Sequence, residues 1–300
     1  VTSPLHGVEH YENFPVASWL MPAALRPAVI DIYRFARHAD DVADEGRALP
    51  EERLATLAAL REDLARAAAG QPARDPRVRA LVPHVQAHGL GWSRFDALLS
   101  AFEQDVSVHR YAHRAGLLDY CARSANPVGQ LILALARKLE PHTQAQSDAV
   151  CTALQLINFL QDLALDWSRG RLYLPEDSLL RHGCTQATLE QAARDGRAPA
   201  PLRACIADEA CAAGALLAEG APLAAVVGGR IGWELRGIIV GGRRILDKLA
   251  ALDHDPFHAR PALNRTDALP LLGLVVRLAL HGALPASPSC RAPTAPPTVS

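Results

Sequence analysis

Two sets of carboxylates at helical spacing are the residues of this sequence best suited to chemistry. The first lies in AVIDIYRFARHADDVADEG, residues 28–46, where a largely apolar segment carries Asp40, Asp41, Asp44 and Glu45. At about 100° per residue, Asp40 and Asp44 share one helix face, with Arg37 and Tyr33 on the same side. Carboxylates held one turn apart repel. A hard cation such as Mg²⁺, which takes oxygen ligands from one or two carboxylates and from substrate phosphates, would relieve that repulsion. For a lone cluster, a solvated acidic face is the alternative.

The second set decides between these readings. In SDAVCTALQLINFLQDLALDWSRG, Asp162 and Asp166 again stand one turn apart, and Asn158 and Gln155 extend their face. The rest of that helix is built from Leu154, Leu156, Ile157, Phe159, Leu160, Leu163 and Leu165. Ionised groups on so apolar an element are costly unless they are paired or bind metal. Two acidic helices facing one cavity therefore point to a diphosphate carried on Mg²⁺. Arg171 and Tyr173 follow directly after Gly170. Arg171 suits phosphate oxygens, although a cation there would also favour the helix C-terminus by ~0.5 kcal/mol. Arg260 and Arg265 lie in a basic loop, HDPFHARPALNRT.

Facing carboxylates, a cationic rim and a wide apolar interior suit the ionisation of an allylic or cyclopropylcarbinyl diphosphate. Metal would neutralise the leaving pyrophosphate, and a dry pocket would shield the carbocation. Burial at ~0.8 kcal/mol per CH₂ would hold a long isoprenoid tail.

The elements that must position these residues read as helices throughout. The chain has 300 residues, 49% of them hydrophobic, enough for a substantial core. Ala and Leu dominate, and no alternating β-branched runs framed by hairpin turns are present. The reading is all-α, a single-domain bundle over 1–285 around a large apolar cavity, with 286–300 expected to be a disordered tail. The first acidic helix opens at Pro27 and can close at Gly46, and another runs from Pro50 to Gly70. Pro83 predicts a kink or break in RVRALVPHVQAHGL, where His84 and His88 lack an acidic third ligand for a metal. Ser93 opens the next helix. Asn126, Pro127 and Gly129 interrupt the one after it, leaving backbone groups that need partners. Residues 147–170 read as one helix, 186–194 and 201–219 as short ones, and 222–252 as one long one. In the last of these, Gly228, Gly229, Gly232, Gly237, Gly241 and Gly242 permit close approach of a neighbour or a bulky ligand. The final helix, DALPLLGLVVRLALHGAL, suits packing on the bundle or rest on a bilayer surface.

Composition excludes several classes. A net charge of −1 gives no general attraction for nucleic acid. The six cysteines show neither CxxC pairs nor zinc-finger spacing and read as buried thiols in a reducing compartment. No basic flank precedes an apolar N-terminal run, and no uninterrupted apolar stretch approaches the ~20 residues of a bilayer crossing. The expectation is a soluble, cytoplasmic protein, at most peripheral to the inner membrane. No GxGxxG follows a strand and no P-loop is present. No Glu has a His three residues on, which argues against a di-iron bundle. A non-enzymatic scaffold would not need Asp162 and Asp166 on an apolar helix.

RHADDVADE together with NFLQDLALDWSRGRLYLP resembles the paired Asp-rich motifs of the squalene and phytoene synthase family, from about His10 to Arg265. HYENFPVASWLMP and YCARSANPVG are most similar to its bacterial hydroxysqualene-forming branch in hopanoid biosynthesis. The resemblance implies an isoprenoid synthase fold in which Asp40, Asp44, Asn158, Asp162 and Asp166 bind diphosphate through Mg²⁺, with Gln155 beside them. It implies that Arg37, Arg171, Tyr173, Arg260 and Arg265 hold diphosphate oxygens, that His10 and Asn13 border the site, and that Tyr120 lies near the reacting carbons. Where condensing relatives commonly carry a VAGxVG-like segment, this chain has SANPVG, and Asn13 stands where a small hydroxyl residue is common. Asn13 and Asn126 could position a water. The expected reaction is ionisation of presqualene diphosphate, rearrangement and water capture, with release of pyrophosphate and no reductant. Condensation of two farnesyl diphosphates, or formation of squalene or phytoene, is the alternative within the family. Peripheral membrane contact and contact with neighbouring pathway enzymes complete the expected partners.

Overall fold

The computed structural model describes residues 20–44 and 48–284. His10, Asn13, Gly46 and the 286–300 tail lie outside them. Within the described residues the chain is all-α, apart from a 3₁₀ turn and an isolated parallel bridge between Arg110 and Leu172. In order, the helices are α1 (Arg26–Asp44), α2 (Pro50–Ala68), α3 (Pro76–His88), α4 (Trp92–Asp105), α5 (Arg114–Ser124), α6 (Asn126–Leu135) and α7 (Pro141–Gln161). They continue as α8 (Leu163–Ser168), α9 (Glu176–Arg181), α10 (Gln186–Asp195), α11 (Ala200–Gly220), α12 (Leu223–Val227), α13 (Gly229–Ala251) and α14 (Ala268–His281).

Two apolar cores organise the bundle. One gathers Ile32, Phe35, Leu57, Leu81, Phe95 and Leu131 from α1–α4 and α6. The other gathers Leu117, Leu156, Ile157, Ile206, Val240 and Leu246 from α5, α7, α11 and α13. Leu235 packs against both. The acidic helices belong to different cores: α1 buries Val29, Ile32, Phe35, Ala39 and Ala43, and α7 buries Leu156, Ile157 and Leu160. Each therefore turns its carboxylates to the seam between the cores.

Helix α7 is gripped on three sides by glycine contacts. A Cβ at Gly129 of α6 would collide with Ser147 Oγ and meet Cys151 Sγ at 2.6 Å, and one at Gly242 of α13 would meet Leu154 Cδ2 at 2.7 Å. At Gly220 of α11 it would meet the Gln146 carbonyl oxygen at 2.6 Å. Two of the three were not marked by the glycine-rich stretch of 222–252. Within that stretch Gly237 faces open space, and Gly228, at φ 64°, breaks the expected single helix into α12 and α13.

Other expectations are corrected. Helix α3 runs through Pro83, so the helix does not break there. The 147–170 helix divides at Asp162, where φ −100° and ψ 9° end α7 and start α8. Helix α11 spans 21 residues, so it is not short. The stretch Ala200–Val227 is long and apolar enough to cross a membrane by length and composition, although Arg203, Asp208, Glu209 and Glu219 interrupt it. Its Leu202, Ile206, Ala210 and Leu217 are buried in the second core. Cys121, Cys151, Cys184 and Cys205 are free thiols, but Cys211 is disulfide-bonded, contrary to the thiol reading. At the break before Asn126, Ala125 N–H donates to Cys121 O and Val128 N–H to Ala125 O.

Candidate active site

The break at Asp162 does not scatter the second acidic set. Asp162 N–H still donates to Asn158 O at 2.9 Å, and Asp166 N–H to Asp162 O at 2.8 Å, so helical succession survives from Asn158 to Asp166. Asn158, Asp162 and Asp166 stay partly or fully exposed while Leu160 and Leu163 beside them are buried. Gly170, at φ 78°, then reverses the chain, and Arg171 N–H caps back onto Asp166 O. Leu172 N–H pairs with His109 O at 2.8 Å, which sets Tyr173 beside Tyr111 with ring centroids 6.0 Å apart.

This turn delivers Arg171 to α1. Its two terminal nitrogens donate to both oxygens of Asp44, at 2.7 and 2.5 Å. Arg37 meanwhile binds Asp40 at 3.1 Å and Asp41 at 2.8 Å. Arg260 pairs with Asp162 through two hydrogen bonds. Its loop is pinned by the buried Gln161, whose amide donates to Pro261 O at 2.6 Å, and by Lys248, which donates to Ala262 O. Arg265 is exposed in the 3₁₀ turn and, among the described residues, forms no ion pair with the acidic set. Tyr33 and Gln155 are half-buried on α1 and α7.

The crowding leaves an electrostatic trace. Burial and the neighbouring Asp44 raise Asp40 to about 6, and burial with Asp162 raises Asp166 to about 7. Both carboxyls thus lack sufficient positive charge in spite of their arginines. Among the described residues no three carboxylate, histidine or cysteine side chains converge as a metal centre on their own. The donors fit a magnesium ion that uses one or two carboxylates and completes its shell with phosphate and water. Asp40, Asp44, Asp162 and Asp166, with the Asn158 amide, are the oxygen donors that would hold it. The His84–His88 pair gathers no metal centre among the described residues, although Asp31 Oδ2 lies 3.1 Å from His84 Nε2.

Behind the carboxylates stands an aromatic wall. Phe159 of α7 stacks on Tyr173 at 3.8 Å between centroids, and Tyr120 lies 6.2 Å from Tyr173. A small pocket of about 10 Å³, room for a single water, is lined by Phe159 and Tyr173 with Leu117, Leu156 and Leu160. A cleft of about 390 Å³ lined by His38, Arg66 and Arg74 contains none of these residues and has Glu62, Asp63 and Asp75 in its wall. Asn126 is buried, and its side-chain carbonyl accepts from Thr152 Oγ1 at 3.0 Å, an α6–α7 link and not a helix cap.

Sequence reasoning missed Asp105, the last residue of α4. Its Oδ2 accepts the Tyr120 hydroxyl at 2.9 Å, and burial raises its carboxyl to about 7. Nothing in the spacing of FEQDV marks it, because its partner is fifteen residues away on another helix. Phe159, read only as part of an apolar helix, was the other omission.

Helices bearing two facing acidic sets, clamped by arginines over an aromatic wall, define a class that handles diphosphates of apolar alcohols. The model of the squalene/phytoene synthase family matches residues 8–267, and the chain belongs to that family of enzymes. It is 37% identical over 271 residues to a hydroxysqualene synthase of Zymomonas mobilis, covering 87% of this chain and 85% of that one. A presqualene diphosphate synthase of Rhodopseudomonas palustris is 34% identical over 200 residues, covering 65% of this chain and 71% of its own. The crystal structure of squalene synthase HpnC from Alicyclobacillus acidocaldarius superposes with a TM-score of 0.74 at 38% identity, covering 82% of this chain and 90% of that one.

Proposed function

We propose that this chain ionises presqualene diphosphate, allows the cyclopropylcarbinyl cation to rearrange and captures it with water, giving hydroxysqualene and pyrophosphate. The observation that carries this reading is the pairing of Arg171 with Asp44, which joins the two acidic sets, together with that of Arg260 with Asp162. Arginines parked on carboxylates are ready to move to diphosphate oxygens once those carboxylates take another cation. Mg²⁺ is the cation proposed, and when bound it would neutralise charge building on the leaving group. Phe159, Tyr173 and Tyr120 supply π faces that favour a cation and exclude bulk water. Asn126, whose carbonyl oxygen is committed to Thr152, would offer a water only its NH₂ group. Asn13, His10 and Arg265 keep their proposed roles in water positioning and diphosphate binding. Similarity to hydroxysqualene synthases over most of the chain supports this choice among the family's reactions.

Incubating purified protein with Mg²⁺ and either presqualene diphosphate or farnesyl diphosphate, without NADPH, tests it. Consumption of presqualene diphosphate with release of pyrophosphate is the expected result; consumption of farnesyl diphosphate alone would make the chain a condensing enzyme.

A cytoplasmic position with peripheral membrane contact belongs to the same proposal. On α14, Leu269, Leu272, Val276 and Leu280 form one stripe, with Leu269 80% and Leu280 74% exposed. From Ala268 to Ser300 the chain carries Arg277 and Arg291 and no acidic residue, which complements an anionic lipid surface. The enzymes that supply presqualene diphosphate or consume the alcohol would meet this one on that surface. Flotation with vesicles of phosphatidylcholine and phosphatidylglycerol should carry the protein upward, and the Leu269→Ser/Leu280→Ser double variant should stay behind. Equal flotation of the two would remove α14 from the account.

A further inference from the structure

Asp105 closes α4 directly beneath the aromatic wall, and its side chain is nearly inaccessible, with the residue 5% exposed. One oxygen, Oδ2, accepts the Tyr120 hydroxyl at 2.9 Å, while Oδ1 has no hydrogen-bond partner. A carboxylate so buried and half satisfied is expensive to keep for packing alone. Its surroundings are those of the site. Asp44, Asp40 and Arg171 act on it electrostatically, and its field reaches the hydroxyls of Tyr111 and Tyr173. The neighbouring Gln104 is already committed, donating to the Tyr111 oxygen at 3.1 Å and accepting from Arg123 at 2.6 Å. Tyr120 donates its only proton to Asp105, so its phenol oxygen keeps lone pairs that can accept a hydrogen bond from a water.

We propose that Asp105 is the terminal proton acceptor for the captured water, acting through Tyr120. This rests on the water-capture reading above. In the step, the water oxygen forms the C–O bond to the cation, and one water proton passes to the Tyr120 oxygen. The phenol's own proton passes at the same time to Asp105 Oδ2. The cation and the carboxylate are both neutralised, leaving an alcohol, an intact tyrosine and a protonated Asp105. Burial, which raises the Asp105 carboxyl to about 7, lets it accept that proton near neutrality and return it afterwards. Without this acceptor, a protonated alcohol reverts to cation, and the cation instead loses a proton from carbon to give a hydrocarbon.

The test is the product partition of Asp105→Asn in the full chain, supplied with Mg²⁺ and presqualene diphosphate. Asparagine retains an oxygen to accept the Tyr120 hydroxyl but cannot accept a proton. Alcohol formed per pyrophosphate released should fall by about a hundredfold, the low end for a positioned proton acceptor, with a deprotonated C30 hydrocarbon in its place. Tyr120→Phe removes the relay and should shift the partition the same way, and it carries the test if the asparagine variant does not fold. An unchanged partition in a folded variant would overturn the proposal, as would equal loss of pyrophosphate release and alcohol. Absence of alcohol from the unaltered protein would instead remove the water-capture reading, and this inference with it.

Discussion

Arg171 holds Asp44 through two hydrogen bonds of 2.7 and 2.5 Å, joining residues 127 positions apart and tying the turn after α8 to the end of α1. The pair is partly open to solvent, with side chains 19% and 31% exposed, so it contributes little to stability, on the order of 1 kcal/mol or less. Its planar fork is suited to phosphate. Arg171→Lys should therefore weaken pyrophosphate binding by about tenfold or more, the loss of roughly 1.4 kcal/mol of bidentate contact, while leaving the thermal midpoint nearly in place. Titration calorimetry with Mg²⁺ and pyrophosphate, alongside a melting curve, separates the two effects. A large fall in melting temperature with unchanged pyrophosphate affinity would make the pair structural.

Asp40 at about 6 and Asp166 at about 7 set a pH dependence. Both carboxyls hold their protons to higher pH in the folded protein than in the unfolded chain, where the value is about 4. Folding therefore takes up protons between about pH 4 and 7, and stability of the metal-free protein should fall as pH rises through that window. Metal binding requires the ionised forms, so Mg²⁺ affinity should rise over the upper part of the same range, with proton release. Calorimetry at pH 6.5 in two buffers of different ionisation enthalpy reads the released protons directly. Identical heats in both buffers would contradict the assignment of these carboxylates as ligands.

Two glycines should respond with opposite signs. At Gly220, a Cβ would lie 2.6 Å from the Gln146 carbonyl oxygen, a backbone atom that cannot swing away. Gly220→Ala should destabilise the fold by about 1–3 kcal/mol. At Gly237, in the middle of α13, a Cβ meets nothing within 4 Å, and Gly237→Ala should stabilise by up to about 1 kcal/mol through helix propensity. Urea unfolding of both variants checks this, and a Gly220→Ala protein as stable as the parent would show that α7 is not gripped as described.

What was legible in the sequence was the local part. Asp40 with Asp44, and Asp162 with Asp166, were readable because helical spacing places them without reference to anything distant. The spacing argument held even where the helix did not, since the Asn158–Asp162–Asp166 hydrogen bonds persist through the break. Arg171 was visible from its place after Gly170, but its grip on Asp44 depends on a turn sealed by His109 on another segment. Asp105 was invisible because a buried carboxylate at a helix end is identified only by what faces it. Asn126 was recognised as unusual, yet its burial against Thr152 could not be read from SANPVG. The glycines that position α7 were likewise distributed among α6, α11 and α13, and pairwise contacts of that kind leave no periodic signature.

The central claim, that these two acidic helices ionise a diphosphate and deliver its cation to water, is tested most directly by isotope incorporation. Purified protein is supplied with Mg²⁺ and presqualene diphosphate in H₂¹⁸O, and the alcohol is recovered for mass spectrometry. The account predicts one ¹⁸O atom in each alcohol molecule and one pyrophosphate released with it, both abolished in Asp162→Ala. Unlabelled alcohol, or turnover that survives Asp162→Ala, would contradict it.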